Sequence, residues 1–337
     1  MEALRVAHYQ FAVPGMGNTA PKKQKRGGKP YEVIEPSLQL AALQPYLLTD
    51  VDKKKPVIGT GSYAVVKELT SGGKKYAGKQ LHPALFEFAT EEQRTEILSR
   101  FADECSMLQR VVHPNVVQFV GVHLERGAQL PYLVMEFMSK TLSEHLEKSG
   151  VPDSSTYYSI LSDIALGLQF LHQQTPAIIH RDLSANNVLL SFSMQAKISD
   201  LGVAKILNLS PTEISRITQT KAPGTPCYMP PEALEDNPKY DSTIDIYSFG
   251  VLMIHILCAQ WPIPGPPTKV DPNNPQAIIP VTEFDRRMKF LEQVGLEHPL
   301  MDLISKCLHN NRDNRPTAPS VTKMLLEVMV GPCSGAS

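Results

Sequence analysis

Between Lys54 and Lys79 the apolar positions come in short runs: Val57-Ile58, Ala64-Val65-Val66 and Tyr76-Ala77, the last two separated by the turn signal Ser71-Gly72-Gly73. Short apolar runs bounded by turn residues predict strands joined by hairpins. The period then lengthens. Thr90-Glu91-Glu92-Gln93 has capping-box spacing, and Ile97, Phe101 and Leu108 follow at helical intervals, which predicts a helix after Thr90. Val116–Val122 and Leu130–Phe137 read as two further strands around Glu125-Arg126-Gly127. The first half is thus five short strands and one helix.

Beyond residue 138 the pattern is mainly helical. Tyr157–His172 places Ile160, Leu161, Ile164, Leu168 and Leu171 on one face. Asp245–Ala259 is apolar nearly all round, as a central buried helix is. Two short strands, Val188–Leu190 and Ala196–Ile198, lie between them, and helical segments also fit 283–293, 298–308 and 318–330. The expected organisation is a disordered or weakly structured extension over 1–50, in which Leu38, Leu40, Leu43 and Leu47 recur loosely enough for a short helix. A folded α+β domain follows over 51–330, with lobes over about 51–137 and 138–330, and then a short tail over 331–337.

Composition narrows the class. The 337 residues allow one large or two ordinary domains, and 42% hydrophobic with 20% charged residues is normal for a soluble globular chain. A net charge of -1 gives no global bias toward nucleic acid. The longest apolar run, Phe249–Ala259, contains His255 and is far short of the roughly 20 residues of a membrane span. Five cysteines, none in a CxxC pair, read as free thiols in a reducing compartment. With Glu2, Arg5 and His8 breaking any leader-like apolar run, the expected location is the cytoplasm. The basic stretch Lys22–Lys29 reads either as a nuclear-import or anionic-surface patch or as a solvated leader.

Candidate chemistry begins at Gly59-Thr60-Gly61-Ser62-Tyr63-Ala64, glycines between two strands where backbone N–H groups can approach phosphate. Lys79 lies on the following strand. Glu104 falls on the apolar stripe of the helix, and a carboxylate there is costly unless paired, which points to Lys79 as its partner. Ile179–Leu190 brackets a polar loop that presents Asp182 and, five residues later, Asn187; Asp200-Leu201-Gly202 follows the next strand. Phosphoryl transfer asks for metal ions on the phosphates, a proton acceptor and fixed positioning. Asp182 suits the acceptor role; Asn187 and Asp200 are hard-oxygen ligands suited to Mg²⁺.

These motifs, in this order, resemble the eukaryotic protein kinase superfamily over about residues 55 to 330, and most closely its tyrosine-kinase-like group of serine/threonine kinases. The resemblance implies a two-lobed protein kinase fold with ATP in the cleft, a five-stranded antiparallel sheet plus one helix in the N-lobe and a mainly helical C-lobe. It implies Gly59 and Gly61 over the phosphates, Lys79 and Glu104 as the strand–helix ion pair, Asp182 as base, and Asn187 and Asp200 on Mg²⁺. Met135, Glu136 and Met138 match the gatekeeper and hinge, and Ile58, Val66, Ala77 and Leu189 the walls around adenine. Glu232 is expected to pair with Arg315, and Asp245 to anchor the catalytic loop. Arg181 matches an arginine that binds a phosphate on the activation segment, where Thr218 or Thr220 is the candidate site. Gly224–Met229 matches a Ser/Thr-type substrate-docking loop, while Ser184 departs from the lysine usual in such kinases. Protein hydroxyls are the implied substrates, Ser/Thr first, with a tyrosine or dual-specificity kinase and a catalytically weak pseudokinase scaffold as the alternatives.

Overall fold

The computed structural model describes residues 48, 51, 56–60, 64–81, 89–125, 130–201, 226–234, 241–259, 268–271, 274–280 and 298–330. All of them belong to one compact unit, Pro36–Ser337.

Three strands open this unit: β1 (Val57–Thr60), β2 (Ala64–Ser71) and β3 (Lys74–Leu81). β2 and β3 pair antiparallel around Gly72 and Gly73, both at positive φ (57° and 76°), the backbone that a two-residue hairpin of the right twist demands and that glycine adopts without Cβ strain. Helix α1 (Glu91–Leu108) starts on the expected capping box: Thr90 Oγ1 accepts the Gln93 N–H, and Gln93 Oε1 accepts the Thr90 N–H at 2.8 Å. β4 (Phe119–His123) and β5 (Tyr132–Glu136) complete a five-stranded sheet in the order β1-β2-β3-β5-β4. Alternation along β5 sends Leu133 into the main core with Ile97, Phe101 and Leu108 of α1. Tyr132 and Val134 point the other way, to a second cluster with Leu69, against which Leu48 and Val51 pack. Leu48 also donates its N–H to Val122 O at 3.0 Å, and its carbonyl accepts from His123 Nδ1 at 2.8 Å, so it lies along the outer side of β4. The short helix considered for residues 31–50 otherwise lies outside the described residues.

The second lobe begins with β6 (Lys140–Thr141) and α2 (Leu142–Ser149), a helix the sequence pattern leaves unannounced. Then come α3 (Ser154–His172), β7 (Val188–Leu190) and β8 (Ala196–Ile198), with β6-β7-β8 forming a small sheet. α4 (Thr243–Cys258) is the packing centre, buried continuously from Ile244 to Leu257 as its apolar sequence requires. Gly250 allows its close approach to α5 (Met301–Cys307): a Cβ there would stand 2.9 Å from Cys307 Cβ. An antiparallel pair, β9 (Thr268–Asp271) and β10 (Asn274–Pro280), is a further element without a clear pattern in the sequence, and α6 (Ala318–Val330) packs on α3. The helix expected over 283–293 lies outside the described residues.

Candidate active site

The site forms where the first sheet meets the small β6-β7-β8 sheet. β3 carries Ala77 and Lys79 two residues apart, on one face of the strand, opposite Met135 and Leu133 of β5. Lys79 is 9% exposed. The carboxylate that meets its ammonium is that of Asp200, 2.7 Å away, where the apolar stripe of α1 points to Glu104. Glu104 sits half-buried on α1 and lines a small cavity together with Met135, Asp200 and Leu201. The cleft's shelter is the largest influence on Asp200 and pushes its carboxyl upward. The charge and hydrogen bond of Lys79 outweigh it, and the carboxyl is held below the usual carboxylate range.

The loop between α3 and β7 holds Asp182 and Asn187 together. Asn187 Nδ2 donates to the Asp182 carbonyl at 2.7 Å and to its Oδ2 at 2.9 Å. The Asp182 N–H donates to His180 Nδ1 at 3.2 Å, and His180 Nε2 lies 2.7 Å from the Ser199 carbonyl. An Nδ1 that accepts and an Nε2 that donates make His180 the neutral Nε2–H tautomer. Arg181 has φ 70° and Asp200 φ 66°, left-handed backbone that a non-glycine residue adopts only where its surroundings impose it. At Arg181 the constraint is Asp245, in the first turn of α4. Its fully buried carboxylate accepts the N–H groups of His180 and Arg181, each at 2.8 Å, and His172 Nε2 at 2.8 Å.

The strand leading out of β5 is fixed as firmly. Glu136 donates its N–H to Gln118 O, and its carboxylate takes Lys197 Nζ at 2.7 and 2.9 Å. Its side chain and its N–H are therefore committed, which fixes the end of β5 against β4 and β8. Met138 is buried, Val66, Ala77 and Leu189 are half-buried, and Ile58 is 44% exposed at the rim. Gly59 is described in β1; Gly61, Thr218 and Thr220 lie outside the described residues.

Past Leu201 the chain is described again from Pro226, where it is pinned to α4 and to Arg315, which lies between α5 and α6. The Tyr228 hydroxyl and His255 Nδ1 share a hydrogen bond at 2.5 Å, and the Tyr228 carbonyl accepts from Ser248 Oγ. Glu232 forms a two-pronged ion pair with Arg315, whose fully buried guanidinium lies 4.9 Å from the Tyr247 ring centre. Burial pushes His255 down to about 4. A basic group with a depressed folded pKa favours folding while it is neutral. Its contribution is therefore complete above its ordinary value near 6.5 and is lost as the pH falls from there toward about 4. Urea titrations over that window should show wild-type stability falling by up to ~1.4 kcal/mol per pH unit more steeply than that of His255→Asn, which keeps an acceptor for Tyr228 without a titrating ring.

Three participants escaped the sequence reading. Lys197 looks like an ordinary position of a short strand, Ser199 like a small polar residue just past its end, and His172 like the polar end of an amphipathic helix. The one signal was a titratable group closing the apolar face of α3.

Residues 53–326 match the family model described as protein kinase domain. Among curated relatives, the proline-rich receptor-like protein kinase PERK2 of Arabidopsis thaliana is 32% identical over 79% of this chain and 34% of its own length. Cysteine-rich receptor-like protein kinase 41 of the same plant is 29% identical over 91% of this chain and 47% of its own. The LRR receptor-like serine/threonine-protein kinase RGI1, also from Arabidopsis, is 28% identical over 81% and 24%. The chain spans less than half the length of each of these three relatives. Among the described residues no helix is long and apolar enough to cross a membrane. With its family model matched over most of its length, and a five-stranded sheet and helical lobe meeting at Lys79, Asp182 and Asp200, this chain is a member of the protein kinase family.

Proposed function

We propose that this chain transfers the γ-phosphoryl group of ATP to serine or threonine hydroxyls of protein substrates. The observation that carries the reading is that four side chains from three separate segments pair two by two, Lys79 with Asp200 and Asn187 with Asp182, with Ser199 tying the segment of Asp200 to the Asn187 carbonyl. Asp182 is exposed to the cleft and would accept the proton of the attacking hydroxyl. Asn187 and Asp200 are oxygen donors suited to Mg²⁺, which takes one or two protein ligands and keeps water and phosphate for the rest. A carboxylate held ionised and already satisfied by one cation fits that assignment. Mg²⁺ bound there would neutralise charge on the phosphates. Lys79 would exchange Asp200 for the nucleotide's phosphates and for Glu104, and adenine would lie between Ile58, Val66, Ala77 and Leu189, against the hinge backbone.

Serine/threonine acceptors are favoured by Gly224-Thr225-Pro226-Cys227-Tyr228-Met229 and by the similarity to the LRR receptor-like serine/threonine-protein kinase RGI1. Ser184 weighs for tyrosine or dual specificity: it stands where a Ser/Thr kinase usually has lysine, and its side chain is fully buried. Labelled ATP with Mg²⁺ and an array of serine, threonine and tyrosine peptides decides the matter. The expected result is label on phosphoserine and phosphothreonine; label confined to phosphotyrosine overturns the assignment, and no label above that of Asp182→Asn returns the chain to a binding scaffold.

A further inference from the structure

We propose that Ser199 is a positioning residue that fixes the spacing of the two metal-ligating side chains, Asn187 and Asp200, and so sets the affinity for the metal–nucleotide complex; this rests on the kinase reading above. Ser199 directly precedes Asp200 and is 6% exposed. Its N–H and its hydroxyl both donate to the same acceptor, the Asn187 carbonyl, at 2.8 and 2.9 Å. Its own carbonyl accepts His180 Nε2 at 2.7 Å. All of its polar groups are thus spent on the loop that carries Asn187.

The bonds close a ring. Ser199 holds Asn187, Asn187 Nδ2 holds Asp182, the Asp182 N–H is held by His180, and His180 returns to Ser199. Asp200 hangs from this ring with φ 66°, a conformation that a non-glycine residue leaves readily once its neighbours loosen. A single backbone hydrogen bond lets the Ser199–Asp200 peptide pivot about it. The second donor, from the side chain, removes that freedom. Divalent cations close to octahedral geometry are sensitive to ligand placement, and outer partners that orient ligands tune affinity. The hydroxyl is the active feature, since the backbone bond survives any substitution.

The test is calorimetric titration of the full chain with ADP, with and without Mg²⁺. Ser199→Ala should weaken Mg²⁺-dependent ADP binding by about 3- to 10-fold, the worth of one neutral hydrogen bond, while metal-free ADP binding stays within about 2-fold. Ser199→Thr, which keeps the donor, should restore wild-type affinity, and Ser199→Val, nearly the same shape without a donor, should behave like alanine. Equal losses with and without metal, no loss at all, or equal affinities for the threonine and valine variants overturn the proposal. Should the alanine variant fold poorly, the threonine–valine pair still decides. Asp200→Asn tests the underlying reading separately: a wild-type Mg²⁺ increment there would unseat the metal site itself, whatever Ser199 does.

Discussion

Replacing Asp182 by asparagine should lower kcat for peptide phosphorylation by about 10²- to 10⁴-fold, the usual worth of a positioned base. The substitution is nearly isosteric, and the side chain is exposed. Its Oδ2 accepts a hydrogen bond from Asn187 Nδ2 at 2.9 Å, which an asparagine carbonyl oxygen can still accept. The loop and its neighbours keep their places, so the loss falls on proton transfer alone. Steady-state kinetics should therefore show kcat collapsing while KM for ATP changes little, with a melting temperature within about 2 °C of wild type. Equal rates for the two proteins would mean that the transfer comes from another enzyme in the preparation.

The largest loss of stability is expected at Arg315→Met, about 3–5 kcal/mol in urea unfolding. Arg315 is fully buried and donates to both carboxylate oxygens of Glu232 and to the carbonyls of Thr243 and His309. Methionine fills part of the volume but leaves the Glu232 carboxylate, 13% exposed, without its counter-charge. Removing one partner of such a pair costs far more than removing both, because the remaining charge stays desolvated. The double variant Arg315→Met with Glu232→Leu should accordingly recover much of the loss, and a double-mutant cycle measures how much. If the single and double variants are equally unstable, lost packing on Tyr247 rather than the stranded charge is the cause.

The parts of this molecule legible in the sequence are those written in periodicity and spacing. The capping box of α1, the all-apolar α4 and the Gly72-Gly73 turn each declare themselves locally, because a helix start, a buried helix and a tight hairpin each need particular residues at particular offsets. Asp182, Asn187 and Asp200 were legible as a string for the same reason. What was not legible depends on contacts between distant segments. Lys79 has acidic candidates on two sides, and the stripe of α1 says nothing about how close Asp200 comes across the cleft. The tie from Glu136 to Lys197 joins residues 61 apart on two different sheets that only the folded chain brings together. Helix α2 is eight residues long and the β9–β10 pair has little alternation, too short a signal for either period to emerge.

Leu48 bears on how copies of this protein treat one another. β4 ends the larger sheet, and a terminal strand with bare carbonyls is a template on which a neighbouring polypeptide can add itself. By occupying Val122 O and His123 Nδ1 while covering the apolar cluster of Tyr132 and Val134, Leu48 caps part of that edge from within the same chain. The cover on that edge thus comes from a residue some thirty positions upstream of Lys79, in a stretch of chain that precedes the cleft.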